Sequence, residues 1–299
     1  MAATLFATST QGGLSTDEEY RYQVEPTGVP ILDQIITGGG INEPQSATFD
    51  GAGRLFVVNR GPNSGGGGSI SRFLSPAGQF LATNAIISAS FSRPHWAVVW
   101  NQELFVVNTD NGNVLRFLFG GDGSALANGS FTAGLAGAKS LRGITAAPWG
   151  EILVTECCGS EVIHRFLIDV NGTAIPNGTI TGGLSNPHDM AFSPWGELFV
   201  ANFGNNTIAR FAFNGSHQAT TNGQLTASGL AQPIGVSFSP WGELFVASHS
   251  VGRIWRWTFD AGRHASTNGF FTTPNTLGDV EFLPEVLTPI PTGFLMKIR

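Results

Sequence analysis

The octamer SPWGELFV occurs twice in the chain, at residues 193–200 and again at residues 239–246. Identity over eight positions is improbable by chance, so the 46-residue spacing reflects the fold. Related segments precede these copies: APWGEILV at 147–154, NQELFVV at 101–107 and GAGRLFVV at 51–58. The chain is therefore built from repeats of about 46 residues.

A short apolar segment precedes each of these copies, and a sixth such segment, DVEFL, occupies residues 279–283. This spacing is typical of β-propeller blades. Alternating apolar residues on both sides of SPWG predict two strands joined by a turn, in which proline presets φ and glycine accepts a positive φ. The equivalent positions of the six segments are separated by 50, 47, 46, 46 and 44 residues: Phe49, Val99, Ala146, Phe192, Phe238 and Phe282.

Each repeat carries two further strand signals, which together with the first two predict a four-stranded blade. The fourth strand is marked by segments such as NGSFT at 128–132 and NGTIT at 177–181. The third ends in an arginine followed by an aromatic residue, and this recurrence in every blade indicates a scaffold role. The pairs are Arg21-Tyr22, Arg72-Phe73, Arg116-Phe117, Arg165-Phe166, Arg210-Phe211 and Arg256-Trp257.

The sixth repeat is incomplete at the C-terminus and is completed by the N-terminus. After DVEFL, only GFLMKIR at 293–299 fits a strand, and we assign it as the second strand of that blade. EYRYQV at 19–24 fits the third strand, and DQIIT at 33–37 fits the fourth. Closing the ring in this way leaves no long sheet edge exposed.

The sequence thus predicts an all-β fold, a six-bladed β-propeller with four antiparallel strands per blade. It is expected to form a single domain over residues 1–299, in which residues 18–38 complete the last blade. Residues 1–17 contain no repeat element and are expected to form an N-terminal extension.

Composition excludes several classes of partner. With 12% charged residues, a net charge of −6 and no basic cluster, nucleic acid is not an expected partner. No apolar run reaches the roughly 18 residues of a membrane helix. The glycine-rich run at 61–69 lacks the Lys-Ser/Thr of a phosphate loop, so no nucleotide or organic cofactor is expected. We expect a monomer that either stays inside the cell or is a mature extracytoplasmic form, since its first residues lack signal-peptide features.

The blade consensus PHDMAFSPWGELFVANFGNNTIARF resembles an NHL-type repeat, and the resemblance covers nearly the whole chain. The sequence is similar to the six-bladed lactonase-like propellers, the peptidyl-amidoglycolate lyases and, with one more blade, the streptogramin lyases. Related propellers act as metal-dependent lyases or lactonases, or serve as protein- and RNA-binding platforms, so the resemblance implies the fold more specifically than the function.

Functional residues are expected where the repeat is broken, at the start of the innermost strands and the end of the second strands, which converge around the central channel. His95 and His188 hold the same position two blades apart. Neutral imidazoles are common metal ligands, and Asp279 lies two blades further on. The resemblance to amidoglycolate lyases implies zinc held by histidines from alternate blades, although Gly278 replaces the third histidine here. We expect a divalent metal, zinc or calcium, on His95, His188 and Asp279; the alternative is that both histidines cap loop backbone.

Further side chains at these positions are candidates for catalysis or binding. Arg142 could hold a substrate carboxylate in a bidentate pair, or form a salt bridge with Glu156 or Asp189. Glu156 and His249 are candidate general acids or bases, with structural hydrogen bonding as the alternative. Residues expected to contact the substrate are Gln45, Arg60, Trp96, Asn108, Cys157, Cys158, Asp189 and Asn202.

The adjacent Cys157 and Cys158 are the only cysteines, which excludes a long-range disulfide. They could form a strained vicinal disulfide, bind a soft metal, or remain free thiols.

Two functions from different classes follow from these residues. The first is a metal-assisted lyase or hydrolase that acts on a small polar or anionic molecule at the channel mouth. The second is a non-catalytic recognition propeller that binds a peptide, glycan or protein partner on the same face.

Overall fold

Six four-stranded antiparallel sheets form the part of the chain that the computed structural model describes. This part comprises residues 2–9, 17–61, 67–74, 82–87, 90–120, 124–132, 134–135, 137–138 and 140–283. No helix among these residues is long and apolar enough to cross a membrane.

The strands follow one another along the chain in the order expected for blades. The first three strands belong to blade six and are β1 (Ala3–Ser9), β2 (Glu18–Val24) and β3 (Ile31–Thr37). Blade one contains β4 (Pro44–Phe49), β5 (Leu55–Asn59), β6 (Ser69–Leu74) and β7 (Ala82–Ile87). Blade two contains β8 (Pro94–Trp100), β9 (Glu103–Asn108), β10 (Asn113–Phe119) and β11 (Ala125–Phe131). Blade three contains β12 (Leu141–Ala146), β13 (Glu151–Glu156), β14 (Val162–Ile168) and β15 (Ala174–Ile180).

The two remaining full blades have the same arrangement. Blade four contains β16 (Pro187–Phe192), β17 (Leu198–Asn202), β18 (Thr207–Phe213) and β19 (Ala219–Leu225). Blade five contains β20 (Pro233–Phe238), β21 (Leu244–Ser248), β22 (Arg253–Phe259) and β23 (Ala265–Thr272), and β24 (Leu277–Phe282) is the inner strand of blade six.

The inner strands pack side by side in a closed ring. Each of β4, β8, β12, β16 and β20 contacts the next, and β24 contacts both β20 and β4. The apolar core lies between neighbouring blades; for example, Phe199 of blade four and Trp257 of blade five belong to one buried cluster. The predicted six-bladed propeller is therefore confirmed.

Blade six is closed by a strand that the sequence reasoning did not assign. β1 pairs with β24 on one side and with β2 on the other, and Leu5, Phe6 and Ala7 are fully buried. The expectation that residues 1–17 form an extension was wrong for residues 3–9. These residues form the second strand of blade six, which the sequence analysis assigned to GFLMKIR at 293–299. The GFLMKIR segment lies outside the described residues. The N-terminal strand aligns with the other second strands through Leu5-Phe6, which matches Leu244-Phe245.

The repeated octamer is explained by a polar network around its glutamate. In blade five the Trp241 indole donates to Glu243 at 3.1 Å, Arg256 pairs with the same carboxylate at 2.7 Å, and Asn268 donates to it at 2.7 Å. Blades three and four repeat these contacts around Glu151 and Glu197, and blade two repeats the arginine and asparagine contacts around Glu103. Buried charges need such partners, so the network confirms the scaffold role of these arginines.

Two glycine positions carry the backbone conformations that the repeat requires. The turn glycines Gly196 and Gly242 have φ of 83° and 84°, as the SPWG turn predicts. The Asn-Gly pair of the fourth strand lies inside the strand, at a β-bulge, where Gly223 has φ of 83°. The bulge aims the preceding asparagine at the glutamate of its own blade.

Candidate functional site

The inner strands of blades one to five each begin with a β-bulge. In blade four, Pro187 lies opposite Asn202 and the next pair in register is Met190 with Val200, so the inner strand has one extra residue. A bulge twists the strand and re-aims its side chains. The bulges contain Gln45 in blade one, His95 and Trp96 in blade two, Arg142 and Gly143 in blade three, His188 and Asp189 in blade four, and Ile234 in blade five.

Four of these side chains meet at one end of the channel, and we call His95, Trp96, Arg142 and His188 the mouth cluster. Arg142 Nη1 lies 3.4 Å from His95 Nε2, and the Trp96 ring centroid lies 6.3 Å from the ring centroid of each histidine. Among the described residues, the buried atoms His95 Nδ1, His188 Nδ1 and Arg142 Nε have no hydrogen-bond partner. Unsatisfied buried polar atoms are rare in native proteins and mark this cluster as a candidate binding site.

Both histidines of the mouth cluster are neutral at physiological pH. Burial, followed by the positive charge of Arg142, lowers the pKa of His188 to about 3. Burial, followed by the charge of Arg142, also holds the pKa of His95 well below its usual value of 6.5. The mouth cluster therefore carries a single positive charge on Arg142 between two neutral imidazoles.

No carboxylate in the described part of the chain forms an ion pair with Arg142. Its Nη1 contacts His95 and, at 3.5 Å, the Leu141 carbonyl, and the Nε–Nη2 edge has no hydrogen-bond partner within the described ranges. The alternative salt bridge to Glu156 is not formed, because Glu156 accepts from His164 Nε2 at 2.9 Å. Glu156, a candidate acid or base, therefore makes a structural hydrogen bond with His164.

His249 lies beside the mouth cluster, across Phe203. Phe203 stacks on His188 with a centroid distance of 4.8 Å, and the His249 ring lies 6.1 Å from the Phe203 ring. His249 Nδ1 donates to the Leu277 carbonyl, which leaves Nε2 as an acceptor. The sequence reasoning missed Phe203, which follows Asn202 directly at the end of β17.

Four of the expected substrate contacts are occupied by protein partners. Arg60 pairs with Glu43 at 2.7 Å, and Gln45 Nε2 donates to the Glu43 carbonyl at 3.3 Å. Asn108 and Asn202 are fully buried, and each holds the loop before a mouth-cluster histidine. The Asn108 side chain accepts a hydrogen bond from Ser92 N at 2.5 Å, in the loop that leads to His95. The Asn202 side chain accepts one from Ser185 N at 3.0 Å, in the loop that leads to His188. These two asparagines position the mouth cluster.

Asp279 and Asp189 fasten neighbouring inner strands to each other. The Asp279 carboxylate accepts from the backbone N–H of Ala47 at 3.2 Å and of Val280 at 2.8 Å. Asp189 accepts from Val236 N at 2.9 Å. Each aspartate thus links its own blade to the next blade around the ring.

The expected metal ligands do not assemble into a metal site. Among the residues described, no three His, Cys, Asp or Glu side chains come close enough together to hold an ion. His95 and His188 flank Trp96, and Asp279 already accepts backbone hydrogen bonds. The residues present therefore do not fit zinc or calcium on His95, His188 and Asp279.

On the other side of Trp96, the inner strands enclose a cavity of about 280 Å³. Its polar lining includes Asp189, Asp279 and Glu281, and Trp96 forms part of its wall. Burial raises the pKa of Glu281 to about 8 and that of Asp279 to about 7, and it raises the pKa of Asp189 well above its usual value. Glu281 was not predicted, although it is the single acid at a position that is Thr48, Val98, Thr145, Ala191 or Ser237 in the other blades.

These raised pKa values predict that stability falls with rising pH. At pH 6 the folded protein keeps Glu281 protonated, whereas the ordinary pKa of glutamate is 4.5. The folded state then binds more protons than the unfolded state, so this stabilisation is lost as the pH rises through about 8. We expect the Tm to fall between pH 6 and pH 9, and to fall less in Glu281→Gln, which stays neutral. The exposed variant Asp260→Asn is the control; a Glu281→Gln slope equal to that of the parent protein would contradict the assignment.

Cys157 and Cys158 are both free thiols in the structure. Cys157 is buried, which raises the pKa of its thiol to about 12, whereas Cys158 is exposed and its Sγ lies 3.5 Å from Asn186 Oδ1. The free-thiol alternative therefore describes this state of the protein.

Comparisons with known proteins relate the chain to other propellers by fold. No protein-family model matches the sequence, and no curated protein sequence matches it. Among solved structures, the periplasmic gluconolactonase PpgL of Pseudomonas aeruginosa is 15% identical with a TM-score of 0.69, covering 95% of this chain and 99% of that one. A chain of a nidogen/laminin complex is 14% identical with a TM-score of 0.68, covering 95% and 99%.

A streptogramin B lyase is also similar in fold, at 16% identity and a TM-score of 0.54, covering 80% of this chain and 72% of that one. The lactonase and lyase propellers named in the sequence resemblance are thus among the structural neighbours. At these identities the likeness shows the fold, and the chain is a six-bladed β-propeller.

Proposed function

We propose that the chain is a hydrolase or lyase that acts on a small anionic molecule at the mouth cluster. The observation that supports this most strongly is the unpartnered Nε–Nη2 edge of Arg142, set between two buried imidazoles. This edge presents two parallel N–H donors, the arrangement that binds a carboxylate or phosphate in a bidentate pair.

His188 is the proposed proton carrier. Its Nδ1 has no partner among the described residues, whereas the lone pair of His95 Nε2 faces Arg142. Burial is the main cause of the low pKa of His188, and an anion bound to Arg142 would offset the second cause, the positive charge of that side chain. The imidazole would then become a stronger base only when substrate is present, and could accept a proton from an attacking water or from a carbon acid.

The names of two structural neighbours support this reaction class. One is named a gluconolactonase, which describes opening of a lactone ring, and the other is named a streptogramin B lyase. In hydrolysis, water adds to the carbonyl carbon and His188 takes the water proton while Arg142 holds the substrate anion. The ring C–O bond then breaks, and the imidazolium returns the proton to the leaving oxygen. Metal assistance, which the sequence resemblance implies, is not part of this mechanism, because the donor set does not fit a metal.

The test is turnover of a panel of aldonolactones and carboxylate-bearing cyclic esters, followed by proton uptake or release at constant pH. We expect His188→Gln to lower kcat/KM by about 100- to 1,000-fold. Arg142→Lys, which keeps the charge but loses the bidentate edge, should raise KM strongly. The exposed variant His264→Gln is the matched control. Equal kcat/KM in the parent protein and both mouth variants would contradict the proposal.

A recognition function at the same mouth is the second candidate. Its supporting observation is that no carboxylate among the described residues orients His95 or His188, and that free His188 is a weak base. The similarity to a chain of the nidogen/laminin complex is compatible with this function. Binding of an anionic peptide or glycan that depends on Arg142, without turnover, would favour it.

A further inference from the structure

Cys157 and Cys158 lie in the turn between β13 and β14, in contact with the loops that lead to Arg142 and His188. We infer that the two thiols are a redox switch of the mouth cluster. A soluble disulfide such as glutathione disulfide converts them into a Cys157–Cys158 disulfide, which loosens the loop before His188 and weakens anion binding. The effect on anion binding rests on the proposed function, whereas formation of the disulfide does not.

The two sulfur atoms already lie together. Burial is the main cause that raises the pKa of the Cys157 thiol to about 12, the charge of Arg142 opposes the rise, and a hydrogen bond with the Cys158 thiol adds to it. A disulfide between neighbouring residues closes a small ring that contains the peptide bond between them. No second backbone segment therefore has to approach for the bond to form.

The two thiols differ in their access to solvent. Cys158 is exposed, whereas Cys157 is 1% exposed. Cys158 also has a φ of 64°, in the left-handed region that L side chains rarely adopt, and backbone of this kind is concentrated at functional sites. A soluble reagent therefore reacts first with Cys158, and Cys157 is the buried partner that completes the disulfide.

The reaction is thiol–disulfide exchange in two steps. The Cys158 thiolate attacks one sulfur of glutathione disulfide, whose S–S bond breaks and releases one glutathione thiolate. The Cys157 thiolate then attacks Cys158 Sγ, and the mixed disulfide breaks to release the second glutathione. Two cysteine thiols are oxidised, one glutathione disulfide is reduced to two glutathiones, and these take up the two protons. Because burial disfavours the Cys157 thiolate, the second step is faster at higher pH.

Cys158 ties the loop before His188 to blade three. Its Sγ donates to the side-chain oxygen of Asn186 at 3.5 Å. The Asn186 carbonyl in turn accepts from Phe203 N at 3.2 Å, and the Phe203 ring stacks on His188. A disulfide sulfur carries no proton to donate, so oxidation removes the contact with Asn186 and draws the sulfur toward Cys157.

Cys157 connects the same turn to the anion-binding side of the mouth. Its backbone N–H donates to the Ser140 carbonyl at 3.0 Å, at the start of the segment that carries Arg142. The Arg142 side chain lies near enough for its charge to act on the Cys157 thiol. The cysteine turn therefore contacts both the loop that presents the guanidinium and the loop that presents the His188 imidazole.

The first measurement is intact mass with peptide mapping, after incubation of the folded full chain with glutathione disulfide at pH 7 and pH 9. We expect the parent protein to lose two hydrogen atoms, faster at pH 9. Cys157→Ser should keep one glutathione on Cys158, and Cys158→Ser should stay unmodified because its remaining thiol is buried. A parent protein that stays reduced, keeps glutathione on Cys158 at both pH values, or links two chains would overturn the inference.

The second measurement compares the reduced and oxidised parent protein by calorimetric titration with gluconate, a hydroxy acid with one carboxylate. We expect oxidation to weaken binding by about two- to tenfold, the effect of losing one hydrogen bond. Backbone hydrogen exchange across residues 183–190 should become faster on oxidation, because the link to Asn186 is lost. Cys158→Ser, whose hydroxyl can still donate to Asn186, is the control and should respond to glutathione disulfide in neither measurement.

The outcomes separate the switch from the proposed function. If the reduced parent protein does not bind gluconate, the anion site fails, and the mass and exchange measurements still decide the switch. If the disulfide forms but leaves both hydrogen exchange and gluconate affinity unchanged, the switch is overturned while the anion site stands. Both comparisons use two redox forms of the parent chain, so they do not depend on how well a variant folds.

Discussion

A chain that begins at residue 10 is expected to lose its cooperative thermal transition. β1 is an interior strand of blade six, paired with β24 and β2, and its residues Leu5, Phe6 and Ala7 are completely buried. Each large apolar side chain of this kind stabilises the fold by about 1.5–3 kcal/mol. Removing the strand also leaves β24 and β2 as two open sheet edges and removes the Thr8 hydroxyl that donates to buried Glu19.

The measurement is differential scanning calorimetry with size-exclusion chromatography, in which we expect a broadened transition and aggregation. The matched control deletes residues 293–299, the segment that the repeat pattern assigned to the same place. Since β1 already pairs with β24, this deletion leaves blade six with four strands and a sharp transition. The reverse pattern, a cooperative chain without residues 2–9 and an uncooperative one without residues 293–299, would show that β1 does not close the ring.

Adding a single methyl group at Gly143 is the second change expected to have a large effect. A Cβ there would lie 2.3 Å from the His188 carbonyl oxygen, and a Cβ at Gly235 would lie 2.7 Å from Asp279 Cα. Both obstacles are in the neighbouring inner strand, which is locked in the ring. We expect Gly143→Ala and Gly235→Ala each to lower the free energy of unfolding by about 3 kcal/mol, the upper range for overpacking.

Gly215→Ala is the control for these two variants, because a Cβ at Gly215 meets nothing within 4 Å. It should change stability by less than about 0.5 kcal/mol. Gly143→Ala should also weaken ligand binding at the mouth, since it pushes on the peptide of His188. Denaturant titrations in which all three variants match the parent protein would mean that the inner strands are less closely packed than the structure shows.

The architecture could be predicted from the sequence because it repeats. The octamer, the Arg-aromatic pairs and the Asn-Gly segments each recur, and each recurrence proved to be one part of the network around a glutamate such as Glu243. β1 was missed for the same reason. Its sequence signal is the short Leu5-Phe6 match. The turn that precedes the second strand in the other five blades is absent here, because the first two strands of blade six come from opposite ends of the sequence.

The candidate site was predicted less completely. The breaks in the repeat correctly located His95, Arg142 and His188 at one end of the channel. Sequence position could not distinguish a side chain that faces a ligand from one that fastens backbone. The side chains of Asn202 and Asp279, both expected in the site, accept backbone hydrogen bonds. Glu281 lies at an ordinary strand position of the other blades, and its role depends on packing across the ring. Phe203 lies directly after β17, at the position that Arg60 and His249 hold in their own blades.

The bulged Asn-Gly pairs place a chemical weak point in four blades. An asparagine followed by glycine is prone to lose its amide by cyclisation, and here the amide is the group that donates to the network glutamate, as Asn268 does to Glu243. Deamidation would turn that donor into a second carboxylate facing a buried one, exchanging an attraction for a repulsion. Rigid strand geometry at the bulge opposes the cyclisation while a blade is intact. Chemical ageing of this protein is therefore expected to follow local opening of its outer strands, and each deamidation would weaken the hydrogen-bond network of its own blade.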